Sequence, residues 1–292
     1  MVMAPLVVTS SRPKPLPPSK PVTGPSRQLK LLSYNIQAGT TTGRYSEYLT
    51  SSWRQVLPNN QRIANLDAIS ELVADYDIVA LQEVDCGSLR SGFLNQAKYL
   101  ATHAHFEHWS HQGNRKVGML AHAGNGLLSR IKPSEIEEHR LPGAIPGRGA
   151  MVVRYGEGEW ALYLVILHLA LGRRARAQQF AYVTGLIKRF PHVVVMGDLN
   201  TSPGSRELRE FCDQAGLVIP SRDIMTFPSW GPQRAIDHIL ISPDMDVASI
   251  EALPVTYSDH LPLAMTVNLN GGVALPGHPD GDQDQHGTKD ST

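Results

Sequence analysis

The sequence predicts an α/β or α+β fold in which helices pack outside β-sheets. Three observations carry that expectation. Short apolar runs of strand length recur along the chain, longer segments carry apolar stripes at helical spacing, and the two kinds of segment are interleaved. The strand-like runs are 29–35, 77–83, 125–130, 151–155, 160–168, 192–198, 236–242 and 262–269. Most are continuously apolar rather than alternating, which predicts strands buried on both faces. A helix is expected over 62–75, where Ile63, Leu66, Ile69 and Val73 fall on one face. A second is expected over 173–190, with Ala177, Phe180, Val183, Ile187 and Phe190 as its stripe. A third is expected over 205–215, stopped by Gly216.

Composition narrows the class of protein. The chain has 292 residues, of which 41% are hydrophobic and 18% charged, as in a soluble protein with a sizeable core. The 27 basic and 27 acidic residues cancel. A protein that clings tightly to nucleic acid without specificity carries a basic excess, because phosphate neutralisation supplies most of that affinity. Overall neutrality argues against that class and leaves room for a local basic cleft. Cys86 and Cys212 sit in no metal or redox spacing and read as two reduced thiols. No apolar run approaches the roughly 18 residues of a membrane span. The first residues lack the basic start and long apolar stretch of a secretory leader, so a cytoplasmic protein is expected.

Residues 1–27 hold seven prolines and no acidic residue, and 271–292 are rich in Gly, Asp, Gln and His. Both are expected to be disordered tails around one body, 28–270. The basic arm is either passive or a peripheral contact with an anionic membrane surface.

The chemistry is concentrated at strand ends. Asn35 closes the first run, Glu83 the second, His168 the fifth, and Asp198 the sixth, with Asn200 just beyond it. Asp259 and His260 precede the last. Burying such groups without partners is costly, so their convergence on one polar cleft is the simplest reading. Asn35, Glu83, Asp198, Asn200 and Asp259 offer oxygen ligands, which suit Mg²⁺, Mn²⁺ or Ca²⁺. Histidines beside them add proton transfer, and the combination points to hydrolysis of a phosphate ester. Taken singly, each residue has a plainer reading. Glu83 fits a solvated strand end, His168 a satisfied core histidine, and Asp237-His238 a strand start. Their order along one chain carries more than any one of them.

That order resembles a known family. Ser-Tyr-Asn-Ile (33–36), Leu-Gln-Glu-Val (81–84), Gly-Leu-Leu-Ser-Arg (126–130), His-Leu (168–169), Gly-Asp-Leu-Asn (197–200), Ile-Asp-His-Ile (236–239) and Ser-Asp-His-Leu-Pro (258–262) resemble the endonuclease/exonuclease/phosphatase superfamily, which is DNase I-like. The resemblance covers about 28–270. It implies a four-layer sandwich of two packed, mostly antiparallel sheets flanked by helices. It implies a Mg²⁺- or Mn²⁺-dependent phosphodiesterase, with nucleic acid the leading substrate and a monomer expected. By motif, Glu83, Asn35 and Asp259 match metal-side residues. Asp198 and Asn200 match the pair that orients water and holds the phosphate. His260 matches the catalytic histidine, Asp237 its orienting carboxylate, and His168 a second site histidine. DNA-repair members usually carry Tyr where this chain has His168, which turns the reading toward DNase-like and sphingomyelinase-like branches. The run after His168, Ala-Leu-Gly-Arg-Arg-Ala-Arg, resembles a bacterial branch. Its Arg173, Arg174 and Arg176 fit either a solvated helical face or a phosphate clamp at a helix start. Arg148 and Asn125 are further phosphate-contact candidates. Two alternatives stay open: a phospholipid or sphingolipid phosphodiesterase at the inner membrane surface, and a non-catalytic binding module on the same fold.

Overall fold

The computed structural model describes residues 27–37, 60–117, 121–143 and 147–269. The expected tails, 1–27 save Arg27 and 271–292, lie outside the described residues. One sheet contains β1 (Arg27–Asn35), β2 (Ile78–Asp85), β3 (His108–Val117), β4 (Ala121–Ser129), β10 (Asp246–Ala252) and β11 (Leu263–Leu269), in the order β10-β11-β1-β2-β4-β3. The other contains β5 (Glu135–Arg140), β6 (Gly149–Tyr155), β7 (Leu162–His168), β8 (His192–Asp198) and β9 (Asp237–Ile241), in chain order. Neighbouring strands are antiparallel except β1 with β2 and β7 with β8.

The near-continuous apolar strands are buried on two faces because each sheet is covered on both. Along β1, Leu29 and Leu31 point into a core between the sheets, where they join Leu164, Ile166, Met196 and Met265. Leu32 and Tyr34 point the other way, against Leu66, Ile69 and Val73 of α1 (Asn60–Val73) and Leu100 of α2 (Gln96–His103). On the second sheet, Val165, Leu167 and Val195 meet Phe180 and Val183 of α3 (Arg173–Ile187) and Phe211 of α4 (Arg206–Ala215). Each large apolar side chain withdrawn from water in this way contributes roughly 1.5–3 kcal/mol. The layers run helix, sheet, sheet, helix, as the resemblance implied.

Details depart from expectation. Ile63 is exposed, because α1 meets the sheet one turn later, at Leu66, with Arg62 and Asn65 buried beside it. Strands β3, β5 and β10 and helix α2 are additions to the elements that the apolar pattern predicts. The three strands are sheet edges among the described residues, and edges carry polar side chains. Helix α4 matches closely: the Ser205 side chain accepts from the Leu208 amide, and Gly216 ends the helix at φ 68°. Cys86 and Cys212 are free thiols. No helix among the described residues is long and apolar enough to cross a membrane.

Candidate active site

Register aligns three chemical residues in a row. In the second sheet His168 pairs with Asp198, and Asp198 pairs with Asp237, so an imidazole and two carboxylates stand side by side on β7, β8 and β9. Gly197 makes the first pairing possible. Its φ is 147°, and a Cβ there would lie 1.9 Å from the Leu167 carbonyl oxygen. The first sheet delivers Asn35 from the end of β1 and Glu83 from β2. The segment between β10 and β11 delivers Asp259 and His260.

Hydrogen bonds hold these groups in place. Asp237 Oδ2 accepts from His260 Nδ1 at 2.9 Å and from Thr226 Oγ1 at 2.5 Å. That leaves His260 Nε2 to face Asp198 Oδ2, 3.9 Å away. Asp198 Oδ2 accepts from Asn35 Nδ2 at 3.2 Å, and Oδ1 accepts from the Asn200 amide at 2.9 Å. Asn200 sits at φ 52° and donates its side-chain amide to the Leu169 carbonyl at 2.9 Å. Ser258 Oγ donates to the Asn35 carbonyl at 2.6 Å, tying the Asp259-His260 segment to β1. The Phe227 ring lies 4.9 Å from that of His260.

Glu83 differs from its neighbours. Asp198 and Asp237 are buried, whereas the Glu83 side chain keeps 38% of its surface exposed. Its φ of 57° is left-handed, at an irregularity in the β2–β4 register between Leu81 and Val84. A non-glycine residue there costs energy, and such strain clusters at functional sites. The bulge turns the carboxylate toward His168, whose Nε2 is 3.8 Å from Glu83 Oε1 and 3.5 Å from Asp198 Oδ2.

The two site histidines are driven apart electrostatically. Burial disfavours charge on His260, but Asp237, Asp198 and Asp259 outweigh it and raise the imidazolium to about 10. Burial, with Arg148 and His260 nearby, pushes His168 well below its ordinary value. Arg148 Nη1 donates to His168 Nε2, which requires that nitrogen to be unprotonated. The contacts of His168 with Glu83 and Asp198 are therefore those of a neutral ring and not of a salt bridge. Among the carboxyls, burial raises Asp198 to about 7, with Asp237 and Glu83 adding to the rise and His260 opposing it. Burial raises Asp259 to about 6, again with Glu83 adding and His260 opposing.

A divalent cation suits this crowd of carboxylates. Glu83, Asp198, Asp237 and Asp259 repel one another across a buried space, and Mg²⁺ or Mn²⁺ takes hard oxygen donors of this type. Asp198, Asp237 and His260 also bring ligand atoms within 4.8 Å of one another. In that trio the Asp237–His260 hydrogen bond occupies the two facing atoms, which fits an oriented proton carrier better than a metal cage.

The remaining candidates fall in different places. Arg148 reaches the cluster through His168. Asn125 is fully buried and donates Nδ2 to the Gly149 carbonyl at 3.0 Å and to Gln112 Oε1 at 3.3 Å, clamping β4 to its neighbours. Arg174 is exposed on α3, and none of the hydrogen bonds or ion pairs holding the cluster reaches it. Arg176 is buried against Glu207 at 2.6 Å and bonds the Ala170 and Leu171 carbonyls, so it organises the loop after His168. His238 is buried, bonds the Thr201 carbonyl at 2.8 Å, and is held neutral chiefly by burial. Thr226 and Phe227 escape a sequence reading because no motif marks them. Ser258 stands inside a recognisable motif, but only the fold gives it a role.

Comparisons with known proteins bear on the family and the fold. A family model described as the Endonuclease/Exonuclease/phosphatase family matches residues 32–260. The chain is similar to the inositol phosphosphingolipids phospholipase C of Saccharomyces cerevisiae, at 30% identity over 173 residues. That match takes in 49% of this chain and only 34% of the yeast enzyme. In fold it is similar to an endonuclease/exonuclease/phosphatase from Beutenbergia cavernae, at TM-score 0.66 and 20% identity over 84% of this chain and 72% of that one. It is also similar to D. rerio TDP2 complexed with single strand DNA product, at TM-score 0.61 and 18% identity over 83% of this chain and 99% of that one.

Proposed function

The chain belongs to the Endonuclease/Exonuclease/phosphatase family, and from that premise we propose that it is a divalent-metal-dependent phosphodiesterase acting on nucleic acid. The observation that carries the reading is the alignment of Asp237, His260 and Asp198, in which one carboxylate orients an imidazolium toward a second carboxylate of raised proton affinity. Retention of that arrangement favours an enzyme over a binding module. Glu83, with Asn35 and Asp259, would hold the cation. Bound there, Mg²⁺ or Mn²⁺ supplies Lewis-acid polarisation of a phosphoryl oxygen and stabilises charge on the leaving oxygen.

The protein's own groups do the rest. Asp198, held by Asn35 and the Asn200 amide, accepts the proton of the attacking water. His260 enters charged, with Nδ1 fixed by Asp237, and presents its Nε2 proton to the phosphate. Arg148, which donates to the neutral His168 ring, would be the donor on the other flank, where charge develops in the transition state. The single strand DNA product named in the TDP2 complex supports nucleic acid as substrate.

A sphingolipid headgroup is the second reading, favoured by the 30% identity to the yeast phospholipase C. The test is hydrolysis of bis(p-nitrophenyl) phosphate with Mg²⁺ or Mn²⁺, an EDTA control, and the Glu83→Ala, Asp198→Ala and His260→Ala variants. Metal-dependent release, lost in all three folded variants, is expected. Near-normal turnover in any of them overturns the assignment. Oligothymidylate and sphingolipid vesicles, compared next, separate the two substrates.

A further inference from the structure

Asn200, whose amide holds Asp198, also faces a space outside the carboxylate cluster. A cavity of about 550 Å³ opens there, between the loop after β8, the first turns of α3 and α4, and the segment leading to β9. Arg173, Arg176, Arg206, Arg222 and Arg234 line it, with Glu207 as the one lining carboxylate among the described residues. In a protein of zero formal net charge this is a strong local concentration of positive charge.

The charges are unequal in kind. Arg176 and Arg173 neutralise Glu207, at 2.6 and 3.7 Å. Arg206 pairs with Glu210 one turn along α4. Arg222 and Arg234 are exposed and have no carboxylate partner within ion-pair distance among the described residues. Arg234 lies over the Phe227 ring, 5.7 Å from its centroid, and the same ring abuts His260. The hydroxyl residues Ser202 and Ser205 line the same space, at the positive end of α4. Guanidinium groups, hydroxyls and a helix N-terminus together are a phosphate-binding set.

Glu83, His168 and His260 do not line this cavity, whereas Asn200, whose amide holds Asp198, does. The cavity thus excludes those three groups and adjoins the candidate site through Asn200. We infer that it is a subsite for a second phosphate group of the same substrate, adjoining the one that is cleaved, with Arg222 and Arg234 as its principal contacts. The inference rests on the diester reading above. It makes the enzyme selective for substrates with more than one phosphate, a nucleic acid strand or a phosphorylated lipid headgroup, over an isolated diester. The volume accommodates a phosphate with an attached ring, within the range of small-ligand pockets.

The test compares the full-length wild type with Arg222→Gln/Arg234→Gln. Calorimetric titration with pyrophosphate in metal-free buffer is expected to show binding that weakens about tenfold or more in the double variant, as for removal of two charge-assisted hydrogen bonds. Turnover of bis(p-nitrophenyl) phosphate, which has one phosphate, is expected to change less than about twofold. On oligothymidylate the KM rises, and the slope of log KM against log salt falls by about 0.7, the value for one phosphate no longer neutralised on a single strand. If the KM rises only on vesicles containing phosphatidylinositol 4-phosphate, the second phosphate belongs to a headgroup and the subsite stands. The single Arg222→Gln variant repeats each reading should the double variant aggregate. Equal pyrophosphate affinity in wild type and variant, or equal loss on the one-phosphate substrate, overturns the subsite. Pyrophosphate binding abolished in the variant, with no diester hydrolysed by wild type, overturns the phosphodiesterase reading and, with it, the role as a substrate subsite, leaving only a phosphate-binding cavity.

Discussion

His260 Nδ1 lies 2.9 Å from Asp237 Oδ2, and this bond aims the imidazole and makes Asp237 the largest of the carboxylate contributions to its charge. Asp237→Asn keeps the shape and removes the charge. The variant is expected to lose about 100- to 10,000-fold in kcat, the range of a misoriented acid/base group, with KM little changed. In the metal-free protein the His260 titration, read by NMR, falls from about 10 toward the ordinary histidine value. A titration that stays high in the variant would show that Asp237 is not what charges the ring.

The carboxyl cluster makes cation binding a pH-dependent source of stability. Asp198 and Asp259 are raised in the folded, metal-free protein to about 7 and about 6. Groups raised on folding favour the native state below their unfolded values, near 3.8, and that contribution is lost as pH climbs through 6 and 7. A cation binds the unprotonated form and offsets the loss. Added Mg²⁺ should therefore raise Tm more at pH 8 than at pH 5.5, and little in Glu83→Ala. An increment independent of pH, or undiminished in that variant, would place the cation elsewhere.

Glu83 is held in a conformation that glycine adopts without cost. Glu83→Gly is expected to be inactive, yet more stable than Glu83→Ala by about 1 kcal/mol, the penalty of a side chain in the left-handed region. Urea denaturation of the two variants measures the difference. Equal stability would remove the argument that strain is stored at this bulge.

At Gly197 the close approach of the Leu167 carbonyl leaves no room for a methyl group. Gly197→Ala must separate β7 from β8 or shift their register, and a loss of stability above about 3 kcal/mol is expected from strain and broken ladder bonds together. Thermal unfolding tests this. A variant with wild-type Tm would mean that the strands part locally at little cost.

How far the sequence speaks depends on burial. Interior strands such as β1, β7 and β8 are legible because both faces are covered, which demands unbroken apolar runs. An exposed edge strand is not: β5 reads Glu-Ile-Glu-Glu-His-Arg, so no apolar pattern announces it, whereas β9, also an edge among the described residues, is buried and legible. At the site, Asn35, Glu83, Asp198 and His260 are visible as polar residues that terminate or flank apolar strands. Thr226 is not, because its role is a single hydroxyl bond to Asp237 across the fold. Arg222 and Arg234 are equally silent. Surface arginines carry no sequence signal until the chain folds them around one cavity.

The order of strands sets when the site comes into being. β1 opens the first sheet, β5 to β9 build the second, and only then does the chain return to lay β11 against β1. Asp259 and His260 ride on that return, just ahead of β11. During synthesis, Glu83, His168 and Asp198 have all left the ribosome before the imidazole that Asp237 orients has been added. On the function proposed above, the site of a nascent chain would stay incomplete until β11 has docked on β1 across more than two hundred residues of sequence, a long-range and slow contact to form.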